Sequence, residues 1–251
     1  MKERMQKIST SSDSCHEKNR PESEGYRGVQ TFIGITENHL TEVRFTQDNL
    51  LEQILSPHNL NKAYKQVVSN HGSGGIDGMA TDELLPWLRL HKEDLLVAIT
   101  RGKYRPNPVL RVEIPKDGGK KRQLGIPTVV DRFVQQSLSQ ILSPIYEREF
   151  SDTSYGFRPK RSCHDALKQA QSYITSGYKY AVDLDLEKFF DTVNHSRLIE
   201  LLSKRVKDGR VVSLIHKYLQ AGVQVGHKFE DSHSGVPQGA LCIVSHNPPY
   251  A

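Results

Sequence analysis

Two carboxylates one residue apart, Asp183 and Asp185, run straight into a pair of phenylalanines in the stretch YAVDLDLEKFFDTVNH, Tyr180 to His195. Read as a strand, the stretch alternates, with Val182, Leu184 and Leu186 on one face and Ala181, Asp183 and Asp185 on the other. The apolar face can pack on a core. The acidic face must stay wet, meet cations or hold a metal, because an unpaired buried carboxylate is very costly. A solvated strand edge is the plain reading of an isolated pair, so the rest of the chain has to decide. A patch of opposite sign bears on it. Between Arg101 and Arg122 stand eight Lys or Arg residues (101, 103, 105, 111, 116, 120, 121 and 122) against two acids, Glu113 and Asp117. A merely soluble face mixes both signs, whereas this local excess is the footprint expected for a polyanion such as nucleic acid or a triphosphate.

The 251 residues suffice for one large domain or two modest ones, and the net charge is +5. Hydrophobic content is 36%, and the polar, aperiodic residues 1–45 read as a flexible leader. No run approaches the roughly 18 apolar residues of a membrane span. The first twenty residues lack a signal core and are not Arg-rich, so a cytoplasmic setting with no membrane partner is expected. Cys15, Cys163 and Cys242 are far apart and form no C-x-x-C pair, which argues against a disulfide framework or a zinc site.

The elements that must position these groups follow from periodicity. From Phe45 the pattern is helical, with a break near Ser56-Pro57. The glycines between Gly72 and Gly78 lack both the Gly-Lys-Ser/Thr ending and the G-x-G-x-x-G spacing of phosphate loops, so a turn leading into a helix is expected. VLRVEIPKDGGKKRQLGIPT reads as a β-hairpin around Asp117-Gly118-Gly119 with a basic tip. Asp131 is expected to cap a helix that Pro144 breaks or restarts. Ser162-x-x-Asp165 forms a capping box, with Ala166, Leu167, Ala170 and Ile174 on one face of the helix that follows. Two amphipathic helices come after the acidic strand, the second ending at Gly222. Glu230-Asp231 reads as a loop. The order of elements makes an α+β chain rather than a strictly alternating one.

Four segments, IPKDGGKKRQLGIPTVVDRFVQQSL, YGFRPKRSCHDAL, VDLDLEKFFDTVNH and GVPQG, occur in that order at sensible intervals. Together they resemble the group II intron-encoded reverse transcriptases, RNA-directed DNA polymerases that also act as maturases. The resemblance covers residues 47–239. It implies the fingers and palm of a right-hand polymerase, with an incomplete palm. Residues 46–179 correspond to fingers, 180–239 to the first part of the palm and 240–251 to an atypical tail.

The resemblance also assigns roles. Asp185 is expected to be the catalytic, metal-binding aspartate, with the carbonyl of Leu186 helping to hold a second Mg²⁺. Two such ions activate the primer hydroxyl and neutralise the triphosphate, and magnesium suits a few carboxylates with retained waters. Lys116 and Arg122 are expected to close over the nucleotide triphosphate, as point charge and bidentate fork. Lys120 and Lys121 share that work or contact the template. Phe190 matches the gate that rejects a ribose 2′-hydroxyl, with Phe189 in the core, and Gln238 touches the nucleotide near its sugar. Tyr155 and Arg158, with Phe157, suit a template strand through stacking and phosphate contact. Asp183 is the less certain carboxylate, and Asp191 and His195 read as turn and helix-start residues. The implied partners are group II intron RNA as template, a DNA primer and dNTPs.

Two rivals are worth weighing. A D-x-D phosphohydrolase wants Thr or Val where Glu187 stands. A non-enzymatic maturase module that binds intron RNA uses the basic patch equally well. It needs no later catalytic motif, and the sequence contains no Asp-Asp pair: after GVPQG it reads ALCIVSHNPPYA. The 251-residue chain is therefore expected to be inactive in DNA synthesis.

Overall fold

The computed structural model describes residues 49–115 and 121–236, with the side chain of Arg122 excepted. They fall within a single unit, Phe45–Ala251. The expected leader, the hairpin turn with Lys116 and Lys120, Gln238 and the tail lie outside the described residues.

The opening helix is interrupted where the sequence demands it. Helix α1 (Leu50–Ile54) stops, Ser56 turns extended, and its hydroxyl accepts the Asn59 amide at 3.4 Å to start α2 (Pro57–Ser69). Proline at the first helical position is pre-set for that role. The glycine-rich turn leads through one 3-10 turn (Thr81–Glu83) into α3 (Leu84–Thr100), which buries Leu84, Leu88, Leu95 and Ile99 along one face.

The basic hairpin is formed by β1 (Val109–Pro115) and β2 (Lys121–Ile126), antiparallel from Leu110 opposite Ile126 to Pro115 opposite Lys121. Two short strands complete its sheet. Strand β3 (Val223–Val225) runs parallel to β1, and β4 (Lys228–Glu230) pairs with β3, giving the order β2-β1-β3-β4. Glu230, expected in a loop, instead closes β4 and accepts from Arg111 of β1 at 3.0 Å.

Helix α4 (Val129–Glu147) corrects two expectations. Its N-cap is Thr128, whose hydroxyl accepts the Asp131 amide at 3.2 Å, while Asp131 lies in the first turn, 1% exposed. Pro144 does not end the helix. An interior proline costs about 3 kcal/mol. The helix continues through it because Leu138 and Leu142 are fully buried and Ile141, Ile145 and Tyr146 pack on the same core. At roughly 1.5–3 kcal/mol per large buried apolar side chain, the packing wins.

Asp131 holds the lead-in to the hairpin. Its carboxylate accepts from Tyr104 Oη at 2.7 Å, the Asn107 amide at 3.1 Å and Thr128 Oγ1 at 2.7 Å. Burial first, then the charge of Asp131, pushes the Tyr104 phenol far above its ordinary range, so it stays a donor. The strand that carries the basic patch is thereby pinned to α4.

Helices α5 (Cys163–Thr175), α6 (Phe189–Thr192), α7 (His195–Arg205) and α8 (Gly209–Leu219) follow. Leu202, Val211, Leu214, Ile215 and Leu219 join the core made by α1 to α4. Asp208 caps α8 and accepts the Leu51 amide at 3.1 Å, and Arg210 grips Glu52 through two bonds of 2.6 and 2.8 Å. Helix α5 keeps its capping box, with Ser162 and Asp165 bonded reciprocally, yet it buries none of its residues.

Candidate functional site

Four segments meet at one cleft of about 300 Å³. The hairpin contributes Arg111 and Gln123 to Gly125, strand β3 contributes Val223, helix α6 contributes Asp191, and the segment after β4 contributes Ser232, Ser234, Gly235 and Val236. The last two contributions are fastened together through the backbone. The Gly235 amide donates to Val193 O at 2.8 Å, and the Val236 amide donates to Phe190 O at 2.6 Å. The buried imidazole of His195, first residue of α7, lies 2.7 Å from Gly235 O. Because a carbonyl only accepts, that contact makes Nε2 the protonated nitrogen. Gly235 sits at φ +81°, and an added Cβ would lie 2.9 Å from Asp191 O. A side chain is excluded twice, by conformation and by space.

The residues expected from sequence that are described lie on α6, the hairpin, the turn before α5 and the acidic segment. Phe190 is the second residue of α6, half-buried, its ring edge-on to Phe189 at 5.6 Å; Phe189, expected in the core, is half-buried too and outside the core cluster. Lys121 pairs with Glu113 at 2.6 Å, an exposed contact of little net worth. Arg122 lies in β2 opposite Ile114. Lys116, Lys120 and Gln238 lie outside the described residues.

The acidic segment departs from its expected form. Residues 178–186 form no strand, and their apolar side chains stand in solvent, with Val182 84% and Leu184 89% exposed. A strand requires a ladder partner, and among the described residues none is offered to it: the sheet is made of β1 to β4. Asp183 and Asp185 are exposed accordingly, and Leu186 is 60% exposed. Among the described residues, no three His, Cys, Asp or Glu side chains are grouped to hold a metal ion. Asp185 and the Leu186 carbonyl do offer uncommitted hard oxygens, a donor set compatible with Mg²⁺ that keeps its waters.

Arg158 also departs from expectation. Its side chain is 5% exposed and bonds Glu147 Oε1 at 3.0 and 2.7 Å, Ser151 O at 2.6 Å and Ser154 O at 2.9 Å, above the Phe150 ring. Those bonds engage all three guanidinium nitrogens, so Arg158 builds the turn instead of facing a nucleic acid strand. Its neighbours are the more open groups, with Lys160 exposed and Arg161 half-buried, donating to Asp152 O at 3.1 Å. Arg161 lies over the Tyr155 ring at 5.5 Å, Lys160 and Lys168 line the same surface hollow, and Phe157 is 79% exposed.

Sequence reasoning missed Arg111, Ser232 and Ser234 in the cleft and His195 as its fastener. The glycine of GVPQG was the available signal, since a glycine beside a turn often marks a close backbone approach.

The family model described as "Reverse transcriptase (RNA-dependent DNA polymerase)" matches residues 114–243. The chain belongs to the reverse transcriptase family. Its curated relatives place it among the group II intron reverse transcriptases and maturases. It is 36% identical over 199 residues to "Protein YkfC" of Escherichia coli (strain K12), covering 76% of this chain and 52% of that protein. It is 34% identical over 208 residues to "Group II intron-encoded protein LtrA" of Lactococcus lactis subsp. cremoris, covering 82% of this chain and 34% of that protein. It is 33% identical over 141 residues to "Nuclear intron maturase 1, mitochondrial" of Arabidopsis thaliana, covering 49% and 20%. This reverse transcriptase-family chain thus spans about half the length of the first relative and about a third of the second. The solved "Partial Cas6-RT-Cas1--Cas2 complex" matches with TM-score 0.51 at 21% identity, over 76% of this chain and 32% of that one. At that identity the match speaks to fold, and the fold is the α+β fingers–palm arrangement. No helix among the described residues is long and apolar enough to cross a membrane.

Proposed function

We propose that this chain supplies the fingers and the opening of the palm for RNA-directed DNA synthesis of the group II intron type. The observation that supports it is the convergence of the basic hairpin, the α6 start and the Gly235-Val236 backbone on one cleft. Lys116 and Arg122 take the nucleotide triphosphate, Phe190 takes its sugar, and Gln238, two residues beyond Val236 in the sequence, touches the nucleotide near that sugar. Arg111, Ser232 and Ser234 line the cleft and supply further donors. Lys120, Lys121, Tyr155, Lys160 and Arg161 hold the template by charge and stacking, on a turn that Arg158 keeps in shape. Asp185 and the Leu186 carbonyl would hold Mg²⁺, which when bound supplies charge neutralisation at the reacting phosphate. The chain's own part is to place triphosphate, sugar and template against that aspartate, with RNA template, DNA primer and dNTPs as partners.

The exposed surface around Tyr155 and Arg161 equally favours a second reading, a module that binds intron RNA without polymerising. One experiment separates the two. The chain is fused after Gly239 to the downstream segment of the Lactococcus relative and assayed on a primed RNA template. DNA synthesis that Asp185→Ala abolishes supports the polymerase. RNA binding without synthesis, from a folded fusion, supports the module.

A further inference from the structure

Helices α2 and α3 each pack on the core yet scarcely touch each other, and a groove of about 450 Å³ lies between them. Its lining positions are 57, 60, 61, 64 and 65 on α2 and 85, 88, 89 and 92 on α3, the i, i+3, i+4, i+7 spacing of one helical face over two turns. Leu60, Leu88 and Phe133 of α4 form its base and are buried, while Tyr64 is half-buried and Leu85 is 38% exposed. Lys65 stands on the α2 wall, Arg89 and Lys92 on the α3 wall, and no acid among the described residues lines the groove. All three cations are exposed, and none has an ion-pair partner among the described residues. The groove shares no residue with the nucleotide cleft or with the hollow beside Tyr155.

Two facing helical ridges with an apolar trough between them offer the seat that a third helix fills, ridge into groove. Charge complementarity says what that helix carries. Cations on both walls call for an apolar stripe with carboxylates along both of its edges. A nucleic acid strand is a poorer match, because stacking needs open ring faces and Phe133 is 3% exposed. We propose that the α2–α3 groove docks an acidic amphipathic helix of a partner protein, its apolar stripe against Leu60, Tyr64, Leu85 and Leu88 and its flanking carboxylates against Lys65 and Arg89. Docking there needs no catalysis and uses none of the residues assigned to nucleotide, template or metal.

The test is fluorescence anisotropy of a labelled synthetic helix titrated with the full chain. The probe has about 21 residues, with leucine at heptad positions a and d and glutamate at e and g, whose like charges keep it from pairing with itself. The wild type binds it with a micromolar Kd, and Leu85→Glu and Lys65→Glu/Arg89→Glu each weaken binding by about tenfold or more. A second probe with lysine at e and g reverses the order, binding Lys65→Glu/Arg89→Glu better than the wild type. All of these positions are exposed, so circular dichroism should stay unchanged. The fusion to the downstream segment of the Lactococcus relative binds the glutamate probe as the chain alone does. Absence of binding overturns the proposal, and so does binding indifferent to the substitutions. Loss of binding in the folded fusion also overturns it, because the protein's own chain then fills the groove. So does loss of binding under saturating single-stranded RNA, which would make the groove a nucleic acid site.

Discussion

His195 Nε2 and Gly235 O lie 2.7 Å apart, joining the start of α7 to a segment forty residues later that lines the cleft. The same glycine, at φ +81°, passes within van der Waals reach of the Asp191 backbone. This backbone fastening, more than any side chain, keeps Gly235 and Val236 against α6. Gly235→Ala should therefore destabilise the chain by roughly 1–3 kcal/mol, from strain at a positive φ and a forced displacement. At a few degrees per kcal/mol for a chain of this size, the melting temperature falls visibly. An unchanged melting temperature would remove the fastening role.

Arg158 is the second test. Its removal leaves Glu147 facing a partly closed pocket, with one carboxylate oxygen, Oε2, already buried without a partner. A fully buried broken pair costs about 3–5 kcal/mol, and the partial exposure of Glu147 lowers the expectation to about 2–3. Arg158→Lys should not rescue, since one ammonium cannot reproduce bonds made from three nitrogens. Arg161→Ala should do the opposite: stability near wild type, RNA affinity reduced, and the salt dependence of binding shallower by about one phosphate contact. Equal loss of RNA affinity with no loss of stability in Arg158→Ala would return that residue to the nucleic acid face.

The contrast between these two arginines shows what the sequence makes legible. YGFRPKR announces aromatic and basic residues together, but not which guanidinium turns inward. That depends on Glu147 and two carbonyls lying within reach, which no local pattern encodes. Periodicity succeeded where the partner is local, as in the α1–α2 break, the two hairpin strands and the Ser162 capping box. It failed where a partner must come from elsewhere. Leu167 and Ile174 of α5 make a correct amphipathic stripe, yet stand 67 and 71% exposed, because the period names a face and not what covers it. Asp185 suffers the same limit: its alternation reads as a strand, while a strand exists only in a ladder. Strands β3 and β4 escaped because three residues are too few for a period to register.

The Asp208 cap gives a pH prediction. Burial pushes its carboxyl up, but bonds from the Arg210 guanidinium and from the Leu51 and Arg210 amides outweigh that and hold it below the usual aspartate range. A depressed carboxyl contributes stability above its unfolded pKa, near 4, and loses it as pH falls through the lower folded value. Asp208→Asn should cost about 1–3 kcal/mol at neutral pH and flatten the loss of stability below about pH 4. Parallel acid limbs for variant and wild type would show that other carboxylates control the acid transition.

The chain by itself should bind RNA and extend no primer. Binding rests on the eight cationic residues between Arg101 and Arg122 and on the Tyr155–Arg161 surface. Both neutralise phosphates whatever the base sequence, so affinity should fall steeply between low and physiological salt as counterions are released. Inactivity rests on the donor set. The sequence contains no Asp-Asp pair, and Asp185 with the Leu186 carbonyl can anchor one divalent ion far more readily than two that repel each other. Phosphoryl transfer depends almost wholly on such charge stabilisation and positioning. The measurement is primer extension on an RNA template with Mg²⁺ or Mn²⁺, beside an Asp185→Ala control, with RNA binding followed on the same preparation. Binding without extension, identical in wild type and control, is the expected result. Extension that vanishes in the control would mean that these 251 residues assemble a working site unaided, with further carboxylates brought to Asp185 during catalysis.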